Sequence, residues 1–174
     1  MIVAVVGPSG AGKDTLLAEV CRMRSDLRLV RRVITRPTGA GGEDFEGVTD
    51  EEFSRRRARG DFALWWEAHG LSYAIPKAQL LGGGTVLFNG SRAVLPDALR
   101  VFPDLRVIVV TASDAVLAER LTARGRESEA DVLRRLARAR FTLPEDIRAV
   151  TVVNDGTIEE GTAALLAALQ PVRA

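Results

Sequence analysis

Short apolar runs recur along the chain and alternate with stretches of helical periodicity. The runs are Ile2–Val6, Leu29–Ile34, Thr85–Phe88, Arg106–Thr111 and Thr151–Val153. Between most of them, apolar positions repeat at helical spacing over Lys13–Arg24, Ser91–Val101, Asp114–Ala123, Glu129–Ala139 and Ile158–Leu169. A parallel strand must return through a crossover, so this alternation predicts an α/β fold with a mainly parallel sheet flanked by helices. Several helix starts carry their own signals. Ser113 stands where it can cap the helix that follows, and Thr157 with Glu160 has capping-box spacing, as does Thr49 with Glu52. Pro144 and the Asn154-Asp155-Gly156 turn punctuate the last third.

The stretch Thr35–Leu81 breaks the rhythm. It opens on a loop rich in proline and glycine, Pro37-Thr38-Gly39-Ala40-Gly41-Gly42, and continues with a charged helix over Asp50–Ala58. Two strand-like pieces follow, Phe62–Trp66 and Leu71–Ile75, on either side of His69-Gly70. This predicts an acceptor-binding lobe, about residues 35–81, inserted into one domain spanning 1–174. A second special segment, 120–128, gathers Arg120, Arg124 and Arg126 around Gly125 between two helical patterns. No internal repeat and no low-complexity tract interrupts the pattern.

Composition narrows the class. At 174 residues and 47% hydrophobic content, the chain suits one globular domain with a substantial core. A net charge of +1 gives no global attraction to nucleic acid or membrane, and the expectation is that neither is a partner. No run is long enough to span a bilayer, so a cytoplasmic protein is expected. One cysteine and one histidine exclude an internal disulfide framework and a Cys/His metal cluster. Cys21 lies on the apolar side of the first helix and reads as core.

The first run leads into the densest chemistry. Gly7-Pro8-Ser9-Gly10-Ala11-Gly12-Lys13-Asp14-Thr15 lies between a strand and a helix, the context a phosphate-cradling P-loop requires. Glycines let successive N–H groups turn toward phosphate oxygens, and the helix start adds its positive end. These nine residues are candidates for ATP binding, with Lys13 reaching the transferred phosphate. Asp14 occupies the place of the usual magnesium-binding hydroxyl, and Thr15 comes one place late. Mg²⁺ arriving with ATP needs few protein ligands, and Thr15 and Asp14 are candidates, partly through water. A glycine-hinged, arginine-rich turn can close over phosphates, so Arg120, Arg124 and Arg126 read as a lid. Arg135 and Arg138 follow on one face of the next helix, and one of them is expected to serve the site.

Taken together, Gly7–Thr15, Ile34-Thr35-Arg36-Pro37, the region of Tyr73, Arg124–Ser128 and Val153-Asn154-Asp155 resemble the guanylate kinases in their order. The resemblance implies a P-loop NTPase fold. It implies that Arg36 and Tyr73 hold the acceptor's phosphate and that Arg124 and Arg135 grip the transferred phosphoryl, which makes them catalytic together with Lys13. It also implies that Asn154 lies near the adenine. The departures fall on the base-reading positions. Leu64, Ile75 and Asn89 stand where that family carries polar readers, and the second arginine after Pro37 is missing. Each unmatched polar group of a buried base costs about 1–3 kcal/mol, which argues against guanine as the acceptor.

The altered positions, above all Asn89-Gly90-Ser91-Arg92, look instead like the ribose 1,5-bisphosphate phosphokinases. That family belongs to phosphonate utilisation, and the likeness implies transfer from ATP to the sugar's 1-phosphate, giving phosphoribosyl pyrophosphate. A small, doubly charged sugar calls for cations and donors rather than a base slot. Arg36, Tyr73 and Arg92 are candidates for its phosphates. Asn89, Ser91 and His69 either reach ribose hydroxyls or merely shape turns. Adjacent Trp65 and Trp66 should face opposite ways, one in the core and one walling the pocket. Glu43 and Asp44 read as solvated loop acids. A nucleoside monophosphate kinase is the alternative, and a non-catalytic binding module a remote one.

Overall fold

The computed structural model describes residues 1–38, 43–123, 143–144 and 147–170. These fall into two compact units, Met1–Ala4 with Ser25–Arg106, and Val5–Arg24 with the residues from Val107 onward. Five strands hydrogen-bond in the order β2-β7-β1-β8-β9, namely Leu27–Leu29, Thr85–Asn89, Ile2–Val6, Arg106–Thr111 and Ala149–Val153. β2 with β7, and β8 with β9, pair in parallel, as the alternating pattern predicts. Among the described residues no helix is long and apolar enough to cross a membrane.

In the second unit, helix α1 (Lys13–Met23) buries Leu16, Leu17 and Val20, the stripe that helical spacing predicts. Each such side chain contributes about 1.5–3 kcal/mol by leaving water. Helix α5 (Ile158–Ala168) packs against α1 and follows β9. Its capping box forms in both directions. Glu160 N–H donates to Thr157 Oγ1 at 3.2 Å, and Thr157 N–H donates to Glu160 Oε2 at 2.8 Å. Helix α4 (Asp114–Ala123) begins as Ser113 predicts, with Val116 N–H on Ser113 Oγ at 3.4 Å. The helix expected at Glu129–Ala139 lies outside the described residues.

The first unit carries a second sheet, in the order β4-β3-β6-β5. Its strands are Phe45–Gly47, Arg32–Ile34, Leu71–Pro76 and Phe62–Ala68. Here the apolar run Leu29–Ile34 proves to be two strands rather than one. β2 ends at Leu29, and β3 starts at Arg32 in the other sheet. At the break, the Gln79 side chain replaces the lost ladder. Its Oε1 accepts from Arg31 N–H at 2.7 Å, and its Nε2 donates to Arg31 O at 2.8 Å. Hydrophobic periodicity continues through such a crossing, so it could not reveal the switch of sheets. The short β4 lies between the expected loop and helix, where the pattern assigns no element, since three residues leave no alternation to read.

β5 and β6 form the expected hairpin around His69-Gly70, with Ala68 opposite Leu71. Both turn residues have positive φ, 55° and 73°, as a two-residue type I′ turn demands. Helix α2 (Asp50–Ala58) starts at Thr49, whose Oγ1 accepts from Glu52 N–H at 3.1 Å, while the Glu52 carboxylate turns to Arg55. Val33, Ala74, Phe53 and Phe62 form one apolar cluster, with Val48 against it. A bulge between Phe62 and Leu64 rotates β5. Phe62 therefore joins that cluster, while Leu64 and Trp66 face the opposite side, opposite Ile75 and Tyr73. After β7, a 3-10 turn (Arg92–Val94) leads into helix α3 (Leu95–Val101), where helical spacing suggested one helix from Ser91.

Candidate active site

The loop between β1 and α1 has the shape its glycines predict. Gly7, Gly10 and Gly12 have φ of 149°, 89° and 87°. A methyl group on Gly7 would stand 1.9 Å from Val110 O, so close backbone approach as well as conformation requires glycine there. Ala11 is fully buried, and its N–H donates to Pro8 O at 3.3 Å. The first intrahelical bond of α1 runs from Leu16 N to Gly12 O. The earlier N–H groups, through Thr15, therefore point out of the positive end of the helix, into the loop. Lys13 Nζ donates to Gly7 O and Pro8 O, each at 2.9 Å. Asp14 is half-buried, and Thr15 is exposed on the first turn.

A buried amide of the same unit braces this loop. Asn154 is 5% exposed, and its Nδ2 donates to Ala11 O at 2.8 Å while its backbone N–H holds Thr111 O at 2.8 Å. Its amide thus supports the glycine loop itself, a role the expectation of adenine contact did not include. Asp155 Oδ1 accepts from Ser113 N–H at 2.6 Å, tying the same turn to the start of α4. On α4, Arg120 Nη1 lies near Gly12, fully buried and with no hydrogen-bond partner among the described residues. A buried guanidinium nitrogen without an acceptor is costly, and a phosphate oxygen would satisfy it. This donor set fits a nucleoside triphosphate. Arg124, Arg126, Arg135 and Arg138 lie outside the described residues.

The acceptor candidates belong to the first unit. Arg36 follows β3, with its guanidinium 4.3 Å from the Phe45 ring and its Nε buried. Gly47 makes room for this loop, because a Cβ there would meet Arg36 O at 2.4 Å and Thr38 N at 2.6 Å. Thr35 exchanges two bonds with Ser72, N–H to O at 3.0 Å and Oγ1 from N–H at 2.9 Å, so its hydroxyl holds the sheet. Tyr73 stacks on Trp66, ring centroids 5.6 Å apart and planes 7° from parallel. Trp66 is 8% exposed and Trp65 43%, the latter beneath the Arg57 guanidinium. The two indoles face opposite ways as expected.

Asn89 ends β7 and is buried. Ser91 Oγ accepts from Ala93 N–H at 3.3 Å, so it shapes the turn whatever else it touches. Arg92 is half-buried, and burial pulls its guanidinium below its ordinary value. His69 stands exposed at the hairpin tip, beyond the Glu67–Ser72 and Ala68–Leu71 rungs that separate it from Tyr73. Cys21 is only half-buried, and burial pushes its thiol up, away from the reactive thiolate. Among the described residues no group of acidic, cysteine or histidine side chains gathers as a metal site.

One constellation escaped the sequence reading. Arg32 is 7% exposed on the same face as Tyr73 and Ile34. Its Nε donates to Glu43 Oε2 at 2.9 Å, its Nη2 to the same carboxylate, and its Nη1 to Asn89 O at 3.0 Å. It also sits 5.3 Å over the Tyr73 ring. Glu43 is therefore not a solvated loop acid, whereas Asp44 is, pairing with Arg31 at an 81% exposed side chain. The available signal was a charge inside an apolar run: β3 is buried at Arg32, Val33 and Ile34 alike, and a buried guanidinium must find a partner.

Comparison with known proteins identifies the family. No family model matches the chain. A ribose 1,5-bisphosphate phosphokinase PhnN of Rhizobium etli is 48% identical over 97% of this chain and 89% of that protein. One from Ruegeria sp. is 50% identical over 99% and 93%. The chain belongs to the ribose 1,5-bisphosphate phosphokinase family. A phosphokinase of this family can also be part of a longer chain. A bifunctional ribose 1,5-bisphosphokinase-thymidine phosphorylase of Cupriavidus necator is 46% identical over 95% of this chain, which spans 28% of that protein. Among solved structures, a guanylate kinase from Anaplasma phagocytophilum has a TM-score of 0.64 at 19% identity, covering 96% of this chain and 82% of that one. A gluconokinase from Sinorhizobium meliloti reaches 0.56 at 18%, covering 96% and 90%. At such identities the likeness is one of fold, and the fold of this phosphokinase is that of the P-loop kinases.

Proposed function

We propose that the protein transfers the γ-phosphoryl of ATP to the 1-phosphate of ribose 1,5-bisphosphate, giving 5-phospho-α-D-ribose 1-diphosphate and ADP. An oxygen of the 1-phosphate attacks the γ-phosphorus, the bond from that phosphorus to the β-bridging oxygen breaks, and ADP leaves. The acceptor oxygen is already ionised near neutral pH, so no general base is required. The work is positioning and charge neutralisation. Lys13 and the first-turn N–H groups of α1 hold the triphosphate, with Arg120 beside them. Asp14 and Thr15 would hold Mg²⁺, partly through water, and the ion would supply neutralisation of the triphosphate charge. Arg36, Tyr73 and Arg92 bind the sugar phosphates, and Arg124 and Arg135 the transferred group. The enzyme acts on small molecules in the cytoplasm, without nucleic acid or membrane.

The observation that carries this reading is the paired Leu64 and Ile75, directly opposite each other and 4% and 0% exposed. A nucleobase needs donors and acceptors at that depth, and two apolar side chains offer none. Together with relatives of that name at 43–50% identity, it favours a sugar phosphate over a nucleotide acceptor. ADP release measured in parallel with ribose 1,5-bisphosphate, GMP, AMP and dTMP tests the proposal. The expected kcat/KM for the sugar exceeds each nucleotide's by at least about 100-fold. Turnover of GMP without turnover of the sugar makes the protein a nucleotide kinase, and silence with all four makes it a binding module.

A further inference from the structure

We propose that Arg32 is a positioning residue for the acceptor sugar, acting through Tyr73 and the turn that begins at Asn89. The inference rests on the acceptor roles proposed above for Tyr73 and Arg92. A guanidinium presents its donors in one rigid plane, so its partners are fixed relative to each other as well as to it. Here those partners come from three places in the chain. Glu43 takes Nε and Nη2, Asn89 O takes Nη1, and the Tyr73 ring lies 5.3 Å from the guanidinium carbon. Trp66 is stacked on Tyr73 at 5.6 Å. Arg32 thus sets the height and tilt of Tyr73 relative to the strand end from which Ser91 and Arg92 depart.

Its charge is already answered. The Glu43 carboxylate is bound by two nitrogens of Arg32, and the Arg32 side chain is 8% exposed. A sugar phosphate would have to displace Glu43 to reach it, so Arg32 acts through its neighbours and not on the substrate. Stability alone explains such a pair poorly, because a well-packed apolar pair of similar volume is often as stable. What apolar side chains cannot reproduce is the angular link between Asn89 O and the Tyr73 ring.

The test replaces both charges together, Arg32→Met with Glu43→Leu, so that no unpaired charge is buried. Tyr73 is the chain's single tyrosine, and 3-fluorotyrosine labelling gives one fluorine resonance that reports it alone. The double variant is expected to raise KM for ribose 1,5-bisphosphate about 10- to 100-fold, to leave KM for ATP within about twofold, and to shift and broaden that resonance. Arg32→Lys keeps the cation without the fork and should lie between, with a smaller rise in sugar KM; it decides the matter should the double variant not fold. Unchanged sugar KM in whichever of these variants folds overturns the proposal, as does an equal rise in both KM values. Arg36→Gln and Arg92→Gln run beside them. If these raise the sugar KM and the Arg32 variants do not, only the positioning role falls. If neither raises it, the acceptor reading fails and takes this inference with it.

Discussion

Lys13→Ala should abolish phosphoryl transfer while leaving a folded protein. In the structure, Lys13 Nζ is docked on Gly7 O and Pro8 O, each at 2.9 Å. The ammonium therefore sits across its own loop, at the end of α1 where the helix N–H groups emerge. In the proposed reaction it exchanges those carbonyls for phosphate oxygens and follows the charge that builds on the transferred group. Loss of one preorganised donor of this kind slows catalysis by roughly 10²–10³-fold, and a full charge reaching the transferred group places Lys13 at or above that range. The two carbonyl bonds are partly buried, so their loss costs about 1–2 kcal/mol and lowers Tm by a few degrees. Single-turnover transfer to ribose 1,5-bisphosphate, with a melting curve on the same sample, separates the two effects. Transfer within about tenfold of the parent at an intact Tm would remove Lys13 from the machinery.

Gly7→Ala should act on the fold first. Its added methyl would lie 1.9 Å from Val110 O, and a φ of 149° is strained for any side chain. Neither obstacle yields cheaply, since the obstructing atom is backbone in the middle of β8 (Arg106–Thr111). Overpacking and backbone strain each cost about 1–3 kcal/mol, so a combined loss of about 3–5 kcal/mol is expected. For a chain of this size that is a fall in Tm on the order of 10 °C, with ATP affinity lost alongside because the loop can no longer curl. Gly83→Ala is the matched control, because a Cβ there meets nothing within 4 Å and no positive φ is involved. If Gly7→Ala melts with the parent while Gly83→Ala does too, the close approach of the loop to β8 is wrong.

Much of this architecture was legible in the residues. The P-loop was readable because three constraints coincide there: glycines, one lysine and a strand-to-helix change of period. Capping at Thr157 and the His69-Gly70 hairpin were readable because each is local chemistry. The switch of sheets at Arg31 was not, since apolar character continues across it and the brace, Gln79, lies far along the chain. The bulge at Ala63 was hidden for a similar reason. It inverts the face of Phe62 relative to Leu64 without altering composition. The Arg32–Glu43 pair joins β3 to the bend before β4 through side chains eleven positions apart, and only three-dimensional proximity turns a loop acid into a buried partner. Asn154 carried a family role in nucleotide binding, yet its bond to Ala11 O is a matter of packing that no motif encodes.

The opposed indoles of β5 make the enzyme its own optical instrument. Trp66 is 8% exposed beside Tyr73, and Trp65 is 43% exposed on the other side. Emission from the buried indole lies to the blue, and emission from the wet one lies to the red and yields to aqueous quenchers such as iodide. With the red component quenched, what remains reports the face that carries Tyr73, the proposed acceptor face, and excitation at tyrosine wavelengths feeds the same indole by energy transfer from its stacked neighbour. Sugar binding can then be titrated by intrinsic fluorescence without ATP, label or coupled enzyme, while the quenched component supplies the internal reference.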